Sequence, residues 1–361
     1  MTAMSVFRCV VSAMLRHLPG RGLHIRRLWH QIKGYRYART KYRLAAASGW
    51  RLPDPDRVLL LPPDMVVGHT CFQPEGSTLE LRNAVFGLDV IPGSVLDGEW
   101  DVGAPPFESL AAYRSIEQHV RQGTHWRDTE YFAESMRDIN AGRTLWNCRN
   151  ENELEARLQY IDSVVDSVRQ HGMLRQREVT AQHDPTRRFS DEVEVNVARN
   201  GAILFQDGRH RLSIAKVLKV PLIPVKVRVR HRQWQVLREQ VLDLRSTSDD
   251  GRLLLPFPVP HPDFGDIASD DTARLAIDTL LQLLGKRRLR VLDLEGRLGF
   301  VSCQLAVAGH EVTTVEPDDK LRRIGAGVCA SLLPALLWLG QSPADTTAFD
   351  LVVAFGSTGI A

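Results

Sequence analysis

The sequence lacks most of the features that would declare its class. Its five cysteines, Cys9, Cys71, Cys148, Cys303 and Cys329, are scattered with no C-x-x-C spacing. That excludes a zinc ribbon and a disulfide framework, and it suits a reducing compartment. No apolar run is long enough to span a bilayer. Residues 4–18 are interrupted by Arg8, Arg16 and His17 and do not read as a signal peptide. Acidic residues are missing from positions 1–53, which hold eleven Lys and Arg. The net charge of +3 is too small to mark a nucleic-acid-binding protein by itself, so the remainder of the chain is net acidic. An apolar fraction of 43% and a charged fraction of 25% are ordinary for a globular chain, and 361 residues leave room for two or three domains.

The most informative stretch is residues 193–230. Val193, Val195 and Val197 alternate with Glu194, Asn196 and Ala198, the pattern of a half-buried strand. Asn200-Gly201 signals a hairpin, because both residues tolerate positive φ. Residues 202–205 read as the returning strand. Leu212, Ala215 and Leu218 then give a helix an apolar face that ends before Pro221. Val225, Val227 and Val229 alternate with basic residues, so a further strand follows.

Asp207-Gly208-Arg209-His210-Arg211 falls at the start of that helix. A helix N-terminus presents unpaired N–H groups and the positive end of the macrodipole, which suits an anion such as phosphate. Gly208 would let the backbone approach a ligand, and Arg209, His210 and Arg211 bring donors to the same point. The alternative is that Asp207 caps the helix and the basic residues are solvated. Upstream, residues 150–171 read as a helix. Asn150 and Glu153 have capping-box spacing, Leu154, Leu158, Ile161, Val165 and Val168 lie on one face, and Gly172 follows as a stop.

In this order of helix, strand, hairpin, glycine-basic turn, helix and strand, the chain resembles the ParB/sulfiredoxin-like superfamily. The resemblance implies that Gly208, Arg209, His210 and Arg211, with Ala215 further along the helix, hold nucleotide phosphates. It extends to hydrolysis or phosphoryl transfer, with a nucleoside triphosphate and Mg²⁺. Asp207 is then the candidate to orient a metal-bound water or a basic side chain. His210 is the candidate proton donor, since imidazole titrates near neutral pH. No helix-turn-helix is recognisable after Val229, so sequence-specific DNA binding is not implied.

A second pattern lies near the C-terminus. Residues 290–294 read as a buried strand, followed by Gly296, Gly299, a helix over 300–308 and a strand over 311–316 ending in Glu316. Residues 349–355 read as another strand. This resembles the first βαβ unit of class I S-adenosylmethionine-dependent methyltransferases. The resemblance implies that Gly296 and Gly299 approach the cofactor, that Glu316 binds its ribose hydroxyls, and that Asp293 ends the first strand. Glu295 stands where that family has its first glycine, and a side chain there is expected to crowd the turn. The later strands of a doubly wound sheet are missing, so the segment reads as incomplete.

Elsewhere, residues 107–122 and 129–140 read as helices, and residues 245–262 as a proline-rich connection. Trp100, Trp126 and Trp146 lie in or beside turns, where they more often anchor loops than stack on a base. Glu99, Asp101, Asp128 and Glu130 are, by acidity and loop placement, candidates to supply a metal ligand or base for the phosphate site. The expected organisation is mixed α/β (α+β). It comprises a basic arm (1–53), an accessory helical and loop region (54–149), a ParB/sulfiredoxin-like domain (150–245), a connection (246–264) and an incomplete Rossmann-like methyltransferase segment (265–361). Three functions compete: nucleotide-phosphate binding with or without cleavage, S-adenosylmethionine-dependent methyl transfer with the ParB-like part recognising substrate, and a non-catalytic adaptor. Expected partners are a nucleotide, an anionic surface or nucleic acid through residues 1–53, and a second copy of the chain. The expected location is the cytoplasm or the surface of a membrane.

Overall fold

The computed structural model describes residues 48–70, 93–143, 148–175, 178, 192–248, 251–270 and 272–355. Most of the basic arm, Cys9, Cys71 and Trp146 lie outside the described residues. Among the described residues the fold is mixed α/β, with eight α-helices and two main sheets.

The first sheet is built on β6 (Ile223–His231). One edge of β6 pairs with β1 (Val58–Leu61), antiparallel, and then with β3 (Ser94–Leu96), parallel. Its other edge pairs in parallel with β4 (Val193–Val197). β4 forms a hairpin with β5 (Ile203–Asp207), and β2 (Val66–His69) lies parallel to β5 at the far edge. Three of the six strands thus come from residues 54–149 and three from 150–245, so these stretches fold together.

Val193, Val195 and Val197 are buried as expected, but Asn196 is fully buried too. Its face of the sheet is not solvated. The Asn196 amide donates to Thr70 Oγ1 at 2.9 Å and to Gln206 Oε1 at 2.8 Å. The hairpin also differs in detail from its signal. Gly201 adopts φ +86, whereas Asn200 is not among the residues with positive φ. The turn closes through Gly201 N–H to Ala198 O at 3.0 Å and Ala198 N–H to Ala202 O at 2.9 Å. One left-handed residue after an ordinary turn is enough to close a hairpin.

Four helices form the adjoining layer: α1 (Ala111–Gln122), α2 (Glu130–Asn140), α3 (Glu151–His171) and α4 (Arg209–Val217). The helix expected over 107–122 is broken. Phe107–Ser109 is a 3₁₀ turn, and Leu110 is extended at φ −69, ψ 128 before α1 begins. α3 begins where its cap predicts, with Asn150 Oδ1 accepting from Glu153 N–H at 2.9 Å. The Glu153 carboxylate reaches back to Arg149 N–H at 2.7 Å. Leu154, Leu158, Ile161, Val165 and Val168 are buried in the helical layer, each contributing about 1.5–3 kcal/mol as an upper estimate. α4 closes at Lys219, which takes φ +53 ahead of Pro221.

α5 (Arg232–Leu242) follows β6 directly. Residues 246–264 are not simply an extended tether. They contain a short hairpin, β7 (Ser246–Thr247) with β8 (Leu253–Leu254). Leu255, His261, Asp263 and Phe264 are buried, because an ion-pair network and an aromatic cluster take them into the core.

The second sheet is wholly parallel, in the order β11 (Leu337–Leu339), β10 (Glu311–Val315), β9 (Arg290–Asp293), β12 (Leu351–Val353). α6 (Thr272–Leu284) precedes it, α7 (Phe300–Val307) joins β9 to β10, and α8 (Asp319–Cys329) joins β10 to β11. Leu298, Ile324 and Val328 of this unit share a core with Trp234 and the strands of the first sheet. No helix among the described residues is long and apolar enough to cross a membrane.

Candidate functional site

The glycine-basic turn lies where β5 runs into α4. Gly208 is the N-cap of α4 at φ +90, ψ 32. A Cβ there would be strained by that φ and would sit 3.2 Å from Val193 Cα. Asp207 Oδ1 accepts from Gly208 N–H at 2.7 Å, so it secures the turn itself. No acid occupies the first turn of α4.

The three basic residues differ in setting. Arg209 is buried. His210 Nε2 lies 2.7 Å from the Tyr131 hydroxyl, with the two rings edge to face. Arg211 Nη1 is 3.7 Å from Glu192 Oε2, and its Nη2 lies 3.5 Å from where a Gly208 Cβ would be. Arg211 therefore folds back over the turn. The helix end and the 3.7 Å pair between Arg211 and Glu192, which an anion could displace, are the features here that favour an anion. At the other end of α4, Lys216 is buried with Nζ 2.7 Å from Glu108 Oε1.

Tyr131 and Glu192 were not identified from sequence. Tyr131 sits in α2, seventy-nine positions before His210, and only the layer packing brings them together. Of the acids considered as helpers, Asp101 and Glu99 bind Arg199 at 2.8 and 3.4 Å. Arg199 stands at the β4–β5 turn, the opposite end of the hairpin from Gly208. Glu130 pairs with Arg114, and Asp128 ends a 3₁₀ turn. Trp126 anchors its loop: it is buried, stacks on His119 at 4.2 Å and donates to Asp162 at 3.0 Å.

The second turn lies between β9 and α7. Asp293 is buried and accepts from Ser302 Oγ at 2.6 Å and Glu295 N–H at 3.2 Å. Burial raises its pKa above the ordinary carboxylate value, with Ser302 offsetting only part of the effect. The expected crowding at Glu295 does not arise from backbone strain. The left-handed residue is Arg297, at φ +50, and position 295 is not among those with positive φ. The Glu295 carboxylate instead pairs with Arg297 Nη2 at 3.0 Å.

Gly296 and Gly299 are close-packed against the protein. A Cβ at 296 would lie 2.2 Å from Thr314 Cγ2. One at 299, where φ is +82, would lie 2.3 Å from Cys329 Sγ. The Trp338 indole lies against both positions and against Gly325 of α8. Glu316 is buried, with Oε2 accepting from Arg297 N–H at 2.8 Å and Oε1 from Asp318 N–H at 2.9 Å. Trp338 and Asp318 were also missed in the sequence, since β11 is only three residues long and its pattern carries no period.

A cavity of about 230 Å³ lies elsewhere, lined by Val259, Phe264, Ile267, Ser269 and Arg274 among others. It is smaller than most ligand pockets and includes neither turn. Among the described residues no group of three or more His, Cys, Asp or Glu could hold a metal ion. Compared with known proteins, the chain matches no family model, no curated protein and no solved structure.

Proposed function

We propose that the N-terminus of α4 binds the phosphate groups of a nucleoside di- or triphosphate. One observation carries this reading: β5 passes through left-handed Gly208 straight into a helix whose first turn is Arg209, His210 and Arg211. The element order around it, helix, strand, hairpin, turn, helix and strand, also supports a ParB/sulfiredoxin-like assignment. Each charge-assisted hydrogen bond to the anion would contribute about 1.5–3 kcal/mol before desolvation. An arriving phosphate would compete with Glu192 for Arg211. Mg²⁺, if required, would be held chiefly by the nucleotide's own phosphates, with Asp207 and Glu192 the carboxylates beside the turn. Cleavage would ask more of the site, because Asp207 is engaged at Gly208 N–H and His210 Nε2 at Tyr131.

The test is thermal unfolding of the full chain across nucleoside mono-, di- and triphosphates, pyrophosphate and phosphate, with and without Mg²⁺. Ligand at one hundred times its Kd should stabilise the protein by about 2.7 kcal/mol. No shift with any of them would rule the reading out. A second reading, S-adenosylmethionine-dependent methyl transfer, is favoured by the parallel order β11-β10-β9-β12 with an acid following β10. At that turn Glu316 and the two glycines are already engaged by the protein's own groups, which disfavours the cofactor.

A further inference from the structure

We infer that the glycine turn between β9 and α7 is closed by the protein's own groups and acts as a joint against α5, not as a cofactor cradle. A cradle of this kind needs two open features. Backbone must be bare at the glycines so that a ligand can approach, and the acid after the second strand must offer its carboxylate to a ribose diol. Both are already used.

The space a side chain would need at the glycines is filled by the protein: Thr314 Cγ2 lies 2.2 Å from the Cβ position of Gly296, Cys329 Sγ lies 2.3 Å from that of Gly299, and Trp338 packs over both. Indole atoms lie 3.1 Å from the Cβ position of Gly296, 3.2 Å from that of Gly299 and 2.5 Å from that of Gly325. Any larger residue at 296 or 325 would meet the ring or a neighbouring backbone carbonyl. Three glycines from a turn and a helix thus accommodate one aromatic side chain. The acid is used as well. Each oxygen of Glu316 accepts a backbone N–H, one from Arg297 in the turn and one from Asp318 at the cap of α8. The residue is 6% exposed, so its carboxylate serves the backbone of the turn and offers little surface to a diol. Glu316 therefore ties the turn to the start of α8.

What the closed turn then presents is a surface. Leu298, at the turn, is fully buried together with Val328 of α8, and Ile324 is buried beside them. All three belong to the same core as Trp234 of α5. Gly327 of α8 lies so close to α5 that a Cβ on it would be 3.1 Å from Leu237 Cδ2. The Arg297 guanidinium lies over the Phe257 ring at 5.3 Å. Ser331, just past α8, comes within 3.1 Å of where a Gly201 Cβ would be, at the β4–β5 turn. The turn, its acid and α8 thus form one face that docks on α5, the hairpin and the 255–264 segment.

Two measurements on the full-length protein test this. S-adenosylmethionine and S-adenosylhomocysteine, which carry no phosphate for α4 to bind, are titrated while tryptophan emission and the melting temperature are followed, and neither should change at millimolar ligand. Micromolar binding by the wild-type protein would overturn the inference. Gly327→Leu should then wedge the joint, dividing one unfolding transition into two or abolishing folding. Leu237→Ala, which opens a gap instead of a clash, should lower and broaden the transition. An unchanged single transition in both variants would overturn the docking role. Nucleotide binding at α4 is read separately, so failure of either idea leaves the other standing.

Discussion

The hydroxyl of Tyr131 and Nε2 of His210 are 2.7 Å apart, which ties α2 to the first turn of α4. His210 is thereby oriented beside Arg209 and Arg211 by a residue from another helix. Tyr131→Phe removes one hydrogen bond and keeps the ring. The expected loss of stability is about 0.5–1.5 kcal/mol, together with a few-fold weaker nucleotide binding as His210 loses its orientation. Denaturant unfolding and calorimetry would read the two effects. Unchanged affinity would show that His210 takes no part in the anion site.

Glu192 is a competitor for the proposed ligand. It is buried, and its Oε2 lies 3.7 Å from Arg211. Glu192→Gln keeps the shape and removes the charge that an anion must displace. Nucleotide affinity is expected to rise by about tenfold, equivalent to about 1.4 kcal/mol. Weaker binding in this variant would mean that Glu192 positions Arg211 for the ligand instead of occupying it.

Asp263 is the centre of a buried network. It accepts from Arg230 Nε at 2.9 Å and from Trp234 Nε1 at 3.0 Å, and Arg238 bonds to its backbone carbonyl. Burial opposes its ionisation, but Arg230 and Arg238 outweigh that and hold its carboxyl below the usual range. Asp263→Asn leaves buried arginine charge uncompensated and should cost about 3–5 kcal/mol. His261 adds a pH dependence. Burial lowers its pKa from 6.5 to about 4, against a smaller opposing effect of Asp263. The unfolded chain therefore takes up this proton first as pH falls. Stability should be level above pH 6.5 and decline from there to pH 4, by roughly 3 kcal/mol from this group alone. Depression of the Asp263 pKa extends the decline to lower pH. Denaturant midpoints across that range, compared with His261→Phe, would check the window, and a flat profile would contradict it.

Gly201 is constrained twice. Its φ of +86 suits glycine, and a Cβ would lie 2.5 Å from the Trp234 ring. Gly201→Ala should therefore cost on the order of 2–4 kcal/mol, combining backbone strain with overpacking. Gly98→Ala is the control, since φ is +103 there but nothing lies within 4 Å. It should show the smaller, backbone part alone.

Local chemistry made much of the chain legible. The Asn150 cap, the valine alternation of β4 and β6 and the breaks at Gly172 and Pro221 each act within a few residues, so the elements they define could be read directly. What failed was long-range. The solvated face expected for Asn196 is covered, because Gln206 from β5 and Thr70, just past β2, arrive to bond it. Residues 246–264 look like a tether by their prolines, yet Asp263 is drawn inside by arginines from β6 and α5. The glycines at 296 and 299 were legible as a turn, but what they face was not, since Trp338 belongs to a three-residue strand some forty positions on. At the α4 turn, the sequence brought Arg209, His210 and Arg211 together. It could not show that Tyr131 and Glu192 already hold two of them.

Arg211, at the start of α4, is the side chain proposed to bind phosphate. Calorimetric titration of the full-length protein with the nucleotide that gives the largest melting shift tests it most directly, comparing wild type, Arg211→Lys and Arg211→Ala at one ionic strength. Loss of one charge-assisted contact of about 1.5–3 kcal/mol corresponds to a roughly ten- to hundredfold weaker Kd in Arg211→Ala. Arg211→Lys should fall between, because it keeps the charge but not the forked geometry. Equal affinity in all three proteins, or no heat with any nucleotide, would show that Arg211 does not bind phosphate.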